Sequence, residues 1–160
     1  KGYSSTKAAF GFILYNPWTE LADLVANADA VERIKLDEFR GQIARSKLRL
    51  YPDTALFYKA QQDGLIADRF PYDAMDSARR YGYEAEVPWR FMHPATDRAY
   101  GVHDTVQRVI GKHDEMPMLR EIARFLEANP SRVTEPVDDL ARDLLRAMGP
   151  RRVQSLRHSG

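Results

Sequence analysis

The sequence contains no cysteine among its 160 residues. Within these residues, this excludes disulfide bonds, thiolate zinc sites, cysteine nucleophiles and a cysteine-held iron–sulfur cluster. The chain also lacks an excess of charge, since 24 Lys and Arg stand against 23 Asp and Glu. This near-balance argues against duplex nucleic acid or an anionic membrane as the partner of the whole domain.

A long apolar run is absent as well. The most apolar stretch, residues 8–15, is far too short to span a bilayer, and the first residues lack the apolar core of a secretory leader. With 44% hydrophobic and 29% charged residues, the chain has enough apolar side chains to bury a core. These features predict a soluble cytoplasmic protein with no membrane contact.

The first third of the chain alternates between strand and helix patterns. Residues 8–15 are continuously apolar, which is typical of a strand buried on both faces, and Asn16-Pro17 ends the run. Thr19 is placed to cap a helix whose apolar stripe runs from Leu21 to Ile34. Residues 48–51 predict a second short strand.

A second helix is predicted directly after this strand. Thr54 is placed to cap it, the helix is expected to run to about Gln62, and Gly64 is expected to terminate it. The order of these elements is that of βα units in a parallel sheet.

The rest of the chain predicts helices after an irregular region. Residues 70–100 are rich in aromatic side chains and contain three prolines, which favours an irregular crossing segment. Apolar stripes then predict helices within 99–110, 119–126 and 137–148, and Gly149-Pro150 is expected to end the last one.

We therefore predict an α/β fold, made of the last two βα units of a partial (β/α) barrel followed by an all-helical C-terminal region. Its parts are the end of the barrel (1–66), the crossing segment (67–94), the helical accessory region (95–150) and a basic tail (151–160). Two βα units leave apolar surface uncovered, so either the later helices cover one face or these residues end a larger barrel. A start without Met, close to a buried strand, favours the larger barrel.

Three separate pieces carry a family resemblance. They read GFILYNPWTEL at 11–21, LRLYPDTAL at 48–56 and GLI at 64–66, with a weaker echo in VPWRF at 87–91. In order and spacing they resemble the fifth and sixth barrel strands of radical S-adenosylmethionine enzymes, in the group that often carries a cobalamin-binding domain. The chain departs from the family where it has Asn16 in place of Asp and Asp53 in place of Gly.

The resemblance implies that the chain is the C-terminal portion of such an enzyme and is not active alone. The family motif CxxxCxxC would lie far upstream, on residues outside this chain. This chain alone would then bind no cofactor, and the complete protein would use S-adenosylmethionine, a [4Fe-4S] cluster and, in the members that carry its domain, cobalamin. The implied partners are the upstream part of the same polypeptide or barrel and a small-molecule or peptide substrate, with no nucleic acid.

Candidate cofactor-binding residues follow from the resemblance and from the strand ends, because the carboxyl ends of barrel strands face the ligand mouth. The pattern from Gly11 to Glu20 resembles the family's GxIxGxxxxE element, which helps to hold adenine, and Tyr15 replaces its second glycine. The predicted set is Gly11, Ile13, Tyr15, Asn16, Leu50, Tyr51 and Pro52. Ordinary strand-end packing is the alternative for each of them.

In the crossing segment, Tyr83 and Trp89 are the candidates for a substrate cavity. The alternative is that these rings pack against the barrel, as large rings usually do. No catalytic residue is identified from the sequence.

Three histidines invite a metal hypothesis. His93, His103-Asp104 and His113-Asp114 weakly resemble the pattern of an HD-type phosphohydrolase. Adjacent His and Asp side chains on one helix point about 100° apart, however, which disfavours joint ligation. We expect His103 beside the apolar stripe, solvated at the helix surface, and predict no metal ligand.

Two alternatives to the radical enzyme therefore stay open. One is a stand-alone helical protein-interaction module that binds a partner through its aromatic segment. The weaker one is a metal-dependent HD-like phosphohydrolase.

Overall fold

The computed structural model of the chain describes residues 12–35, 46–66, 87–109 and 115–155. This part of the chain is mostly helical. It contains α1 (Leu21–Arg33), α2 (Ala55–Gln62), α3 (Pro94–Val106), α4 (Glu115–Ala128) and α5 (Val137–Ser155), with a 3-10 helix at Pro130–Thr134.

The ends of α1 and α2 follow from local sequence chemistry. Glu20 and Asp23 form a reciprocal capping box at the start of α1. The Glu20 side chain accepts the backbone N–H of Asp23, and the Asp23 side chain accepts the backbone N–H of Glu20. Thr54 caps α2 by accepting the backbone N–H of Phe57 at 3.2 Å. α2 lies where its apolar stripe and its Thr54 cap predict it. α1 lies where its stripe predicts it, but the expected Thr19 cap is wrong: the N-cap is Glu20, and the Thr19 hydroxyl instead accepts the Asn16 N–H.

The three later helices confirm the predicted helical region, with one difference at its end. α3 begins at Pro94, where proline loses no helical hydrogen bond. α5 begins at Val137 as expected, but it continues through Gly149 and Pro150 to Ser155. The expected stop at Gly149-Pro150 is therefore wrong: a proline removes one helical hydrogen bond and its ring clashes with the carbonyl four residues earlier, which can kink a helix without ending it.

The strands predicted at 8–15 and 48–51 do not form as strands in the described residues; residues 8–11 lie outside these, and the rest of both segments makes only isolated bridges, because single pairings do not extend into a ladder. Tyr15 pairs with Lys47 in parallel, while Leu50 pairs with Val87 and Ile66 with Trp89 in antiparallel fashion. We call these six residues the bridged layer. Within the described ranges no continuous strand forms, so the fold there is helical with a layer of paired segments.

Two hydrophobic clusters hold these elements together. The larger one joins α1, α3, α4 and α5 to Leu14, Tyr15 and Phe91. The smaller one joins α2 to the bridged layer through Leu50, Phe57, Ala60, Leu65, Ile66 and Val87. Trp89 packs against both clusters and therefore links them.

Polar contacts add to the packing of α1 on α4. Arg120 of α4 bonds to Asp29 at 2.7 Å and pairs with Glu32, both on α1. The carboxylates raise the pKa of the Arg120 guanidinium, with the hydrogen bond to Glu32 as the main cause. None of the helices in the described part of the chain combines the length and apolar character that crossing a membrane needs.

Candidate functional site

The first predicted strand end is a tight polar turn. The Asn16 side chain accepts the backbone N–H of Trp18 at 2.9 Å, and the Asn16 N–H donates to the Thr19 hydroxyl, also at 2.9 Å. This is an Asx turn, which directs the chain from the bridged layer into α1. An aspartate could accept the same bond, so the Asn16 departure from the family pattern keeps the local geometry.

Tyr15 lies just before this turn and is fully buried. Its hydroxyl is hydrogen-bonded to Nδ1 of His103 on α3 at 3.1 Å. Burial raises the pKa of Tyr15 far above its usual value, with a smaller contribution from Tyr100. The phenol is therefore neutral, and it ties the bridged layer to α3.

The expectation that His103 is solvated at the helix surface is wrong. Only 1% of His103 is exposed. His103 stands four residues after Ala99 and three before Val106, and both of these are buried on α3. That spacing places His103 on the buried face of the helix, and the same spacing is the sequence signal from which its burial could have been predicted.

The second predicted strand end lies between Leu50 and α2. Leu50 is buried, and Tyr51 and Pro52 are half-buried. Asp53 adopts φ 63°, in the left-handed region. Glycine adopts this conformation most readily and Asp is among the few other residues that tolerate it, which explains why Asp53 can stand where the resembled family has Gly.

Gly64 ends α2 in a Schellman motif. Its N–H donates to the Gln61 carbonyl at 3.0 Å, and the Leu65 N–H donates to the Ala60 carbonyl at 2.8 Å. Gly64 has φ +67°, and Leu65 is buried in the smaller cluster. The GLI piece is thus a helix stop followed by two anchoring apolar residues.

The Gly64→Ala variant should lower the free energy of unfolding by about 1 kcal/mol or slightly more, because an L-residue is strained at this φ. An added Cβ would lie 3.9 Å from Arg90 Nη2, an ordinary contact, so the cost arises in the backbone. Urea unfolding measures it. Gly64→Asn is the matched control and should lose less, since Asn tolerates this region. Equal losses for both variants would contradict the assignment.

Trp89 lies between the two clusters and donates its indole N–H to the Leu48 carbonyl at 2.8 Å. Its ring meets Phe91 edge-on, with centroids 5.0 Å apart. The Lys47 ammonium lies 4.3 Å from the Trp89 ring centre. Tyr83, the other predicted cavity residue, lies outside the described residues.

The predicted cofactor-binding residues differ in accessibility. Ile13 is 51% exposed, whereas Tyr15 and Leu50 are buried. Lys47 pairs with Tyr15, and Leu50 follows three residues later, so both predicted strand ends belong to adjacent parts of the bridged layer. Gly11 lies outside the described residues.

A cavity of about 250 Å³ lies where α1 and α3 begin. His93 Nε2 is 3.6 Å from Glu20 Oε1 at its edge. No pattern in the sequence links Glu20 to His93. Within the described ranges, no group of three or more His, Asp or Glu side chains is arranged to hold a metal ion. His113 lies outside these ranges.

Comparisons of this chain with protein-family models, curated proteins and solved structures found no match.

Proposed function

We propose that the chain forms the C-terminal part of a radical S-adenosylmethionine enzyme located in the cytoplasm. In this proposal it contributes to the cofactor site and the substrate cavity, and it has no activity alone. The proposal starts from the resemblance of three sequence pieces to the family, in the order in which the family has them. The observation that carries it is the parallel pairing of Tyr15 with Lys47 across the α1 connection.

This pairing supports the proposal because parallel neighbours need a crossover, which is usually a helix. The Leu48 N–H donates to the Tyr15 carbonyl at 2.7 Å, while the Leu14 and Tyr15 N–H groups both donate to the Ser46 carbonyl at 3.0 Å. The α1 helix lies between the two partners in the sequence. Segment, helix, parallel segment and helix is the order expected at the end of a (β/α) barrel.

The chain's own residues fit part of the proposed cofactor set. Ile13 offers exposed apolar surface, and half-buried Tyr51 offers ring surface at the other predicted strand end. Such surfaces suit an adenine ring. In the same proposal, buried Tyr15 and Leu50 position the two strand ends, and Trp89 belongs to the substrate cavity.

The iron–sulfur cluster does not fit this chain, because it has no cysteine. In the proposal, the cluster, and cobalamin if the enzyme uses it, are held by the upstream part of the polypeptide. The cluster supplies the electron for radical formation when it is present. This chain would supply binding surface and exclusion of water.

The test is the formation of 5′-deoxyadenosine from S-adenosylmethionine by the anaerobically purified full-length polypeptide with a chemical reductant. We expect the product from the full polypeptide and none from the chain alone. A native polypeptide without CxxxCxxC upstream would rule the proposal out.

A variant probes the site more directly. Tyr51→Ala should raise the KM for S-adenosylmethionine about tenfold and leave kcat nearly unchanged, because it removes binding surface common to ground and transition states. Tyr58→Ala is the matched control, since Tyr58 lies on α2 with 54% exposure and bonds to Asp53. Equal KM values for the two variants would remove Tyr51 from the site.

The helical interaction module is a second candidate, and one observation favours it. The larger cluster gives α1, α3, α4 and α5 a shared core with buried residues on each of these helices. A module of this kind should unfold cooperatively as a monomer, whereas the end of a barrel should aggregate without its upstream part. Sedimentation and urea unfolding of the chain alone distinguish the two.

A further inference from the structure

Three aromatic rings surround one ammonium group beside the bridged layer. Lys47 Nζ lies 4.3 Å from the ring centre of Trp89, 4.8 Å from that of Tyr100 and 5.2 Å from that of Phe91. All three distances are within the range of about 6 Å over which a ring attracts a cation. We call Trp89, Phe91 and Tyr100 the aromatic cage.

The walls of the cage are fixed by contacts that do not involve Lys47. The Trp89 indole donates to the Leu48 carbonyl at 2.8 Å, and the Trp89 and Phe91 rings meet at 83°. Tyr100 meets Tyr15 edge-on at 5.0 Å, and Tyr15 is in turn bonded to His103. Because these contacts hold the rings, the cage should keep its shape when the lysine head leaves.

The other cation–ring contacts in the described part of the chain involve one ring each. Lys59 lies 4.9 Å from the Trp18 ring and also pairs with Asp63 at 2.8 Å. Arg132 lies 5.2 Å from Phe125 and bonds to two carboxylates, those of Glu135 and Asp143. Each of these two cations lies near one ring, whereas the Lys47 ammonium lies near three.

We propose that the aromatic cage is a binding site for a small organic cation that carries a quaternary ammonium group, and that Lys47 occupies it when the ligand is absent. A primary ammonium is strongly hydrated, so its entry among the rings costs more desolvation than that of a quaternary ammonium. Three-ring cages are suited to such ligands. Lys47 is half-buried and has a flexible four-carbon stem, so its head can move out while its backbone pairing stays.

This inference goes beyond the radical enzyme and does not depend on it. It uses ring geometry and the competing lysine alone. Trp89 is also the predicted substrate-cavity residue, so a cage in that place would give the cavity a preference for cationic groups.

The experiment titrates choline, the probe, into the full-length polypeptide. Calorimetry measures affinity, and the indole N–H signal of Trp89 locates the site. The neutral isostere 3,3-dimethylbutan-1-ol is titrated in parallel, and sodium chloride controls for ionic strength. We expect choline to bind with at least about tenfold preference over the isostere, since only the cation is attracted by the rings.

Two lysine variants sharpen the test. Lys47→Ala empties the cage and should tighten choline binding about tenfold, because the internal cation no longer competes. Lys47→Met fills the space with a neutral chain and should bind choline no more tightly than the wild type. Trp89→Leu in the Lys47→Ala background should abolish binding.

The proposal is overturned if choline and the isostere bind equally, if neither binds, or if choline binding survives Trp89→Leu. If Lys47→Ala does not fold, the wild-type titration still tests the proposal. It compares a cation with its neutral isostere in the unaltered cage.

Discussion

Replacing Tyr15 with alanine is expected to lower the free energy of unfolding by about 3–5 kcal/mol, the range for removal of a buried aromatic side chain. Tyr15 is 0% exposed, and its ring meets Phe91 and Tyr100 with centroids 6.0 Å and 5.0 Å away. The substitution leaves a cavity between the bridged layer and α3. It also removes the hydroxyl that bonds to His103. Equilibrium unfolding in urea measures the loss.

The contribution of the hydrogen bond is separated by a smaller change. Tyr15→Phe keeps the ring and should cost about 1–3 kcal/mol, because the buried imidazole loses the hydroxyl bonded to Nδ1. His103→Leu in the Tyr15→Phe background should then cost less than in the wild type, since it removes the polar group that the first variant deprived of this bond. Additive losses would show that the pair contributes no coupling.

Tyr58→Ala is the control for losing a tyrosine ring. Tyr58 is 54% exposed, so its removal should change stability by no more than about 0.5 kcal/mol. If the losses of unfolding free energy in Tyr15→Ala and Tyr58→Ala differed by no more than about 0.5 kcal/mol, the central place of Tyr15 in the larger cluster would be refuted.

The helices were predictable because their signals are local. The Thr54 cap and the stripes of α1 and α2 place these elements from nearby residues alone, although the N-cap of α1 is Glu20, one residue after the predicted Thr19. The end of α5 was not predictable in the same way, because Gly149 and Pro150 weaken a helix without determining whether its next turn forms.

The site required information that the sequence does not carry locally. Tyr15 and His103 are 88 positions apart, and nothing near either residue announces their hydrogen bond. The same holds for the Lys47 ammonium and the rings of the aromatic cage, which come from a bridged segment and from α3. Periodicity indicates which face of an element is buried, but the partner on that face is fixed by tertiary packing.

The second large effect is expected at Gly101, in the middle of α3. A Cβ at this position would lie 2.9 Å from Cγ2 of Val137 and 3.5 Å from its Cγ1. Val137 is the first residue of α5 and packs against the larger cluster. Its β-branched side chain has few alternative rotamers, so it cannot easily yield. The close approach of α3 and α5 therefore depends on the absence of a side chain at Gly101.

Gly101→Leu should lower the free energy of unfolding by about 3 kcal/mol, at the upper end of the usual cost of overpacking. Gly101→Ala should cost less, because alanine gains about 1 kcal/mol of helix propensity over glycine and this offsets part of the clash. Val137→Ala makes room for the new methyl group, so it should be less harmful in the Gly101→Ala background than in the wild type. Urea unfolding of the two single variants and the double variant gives this coupling, which we expect at about 1 kcal/mol. Strict additivity would mean that Val137 moves aside without cost, and that Gly101 does not control how closely α3 and α5 pack.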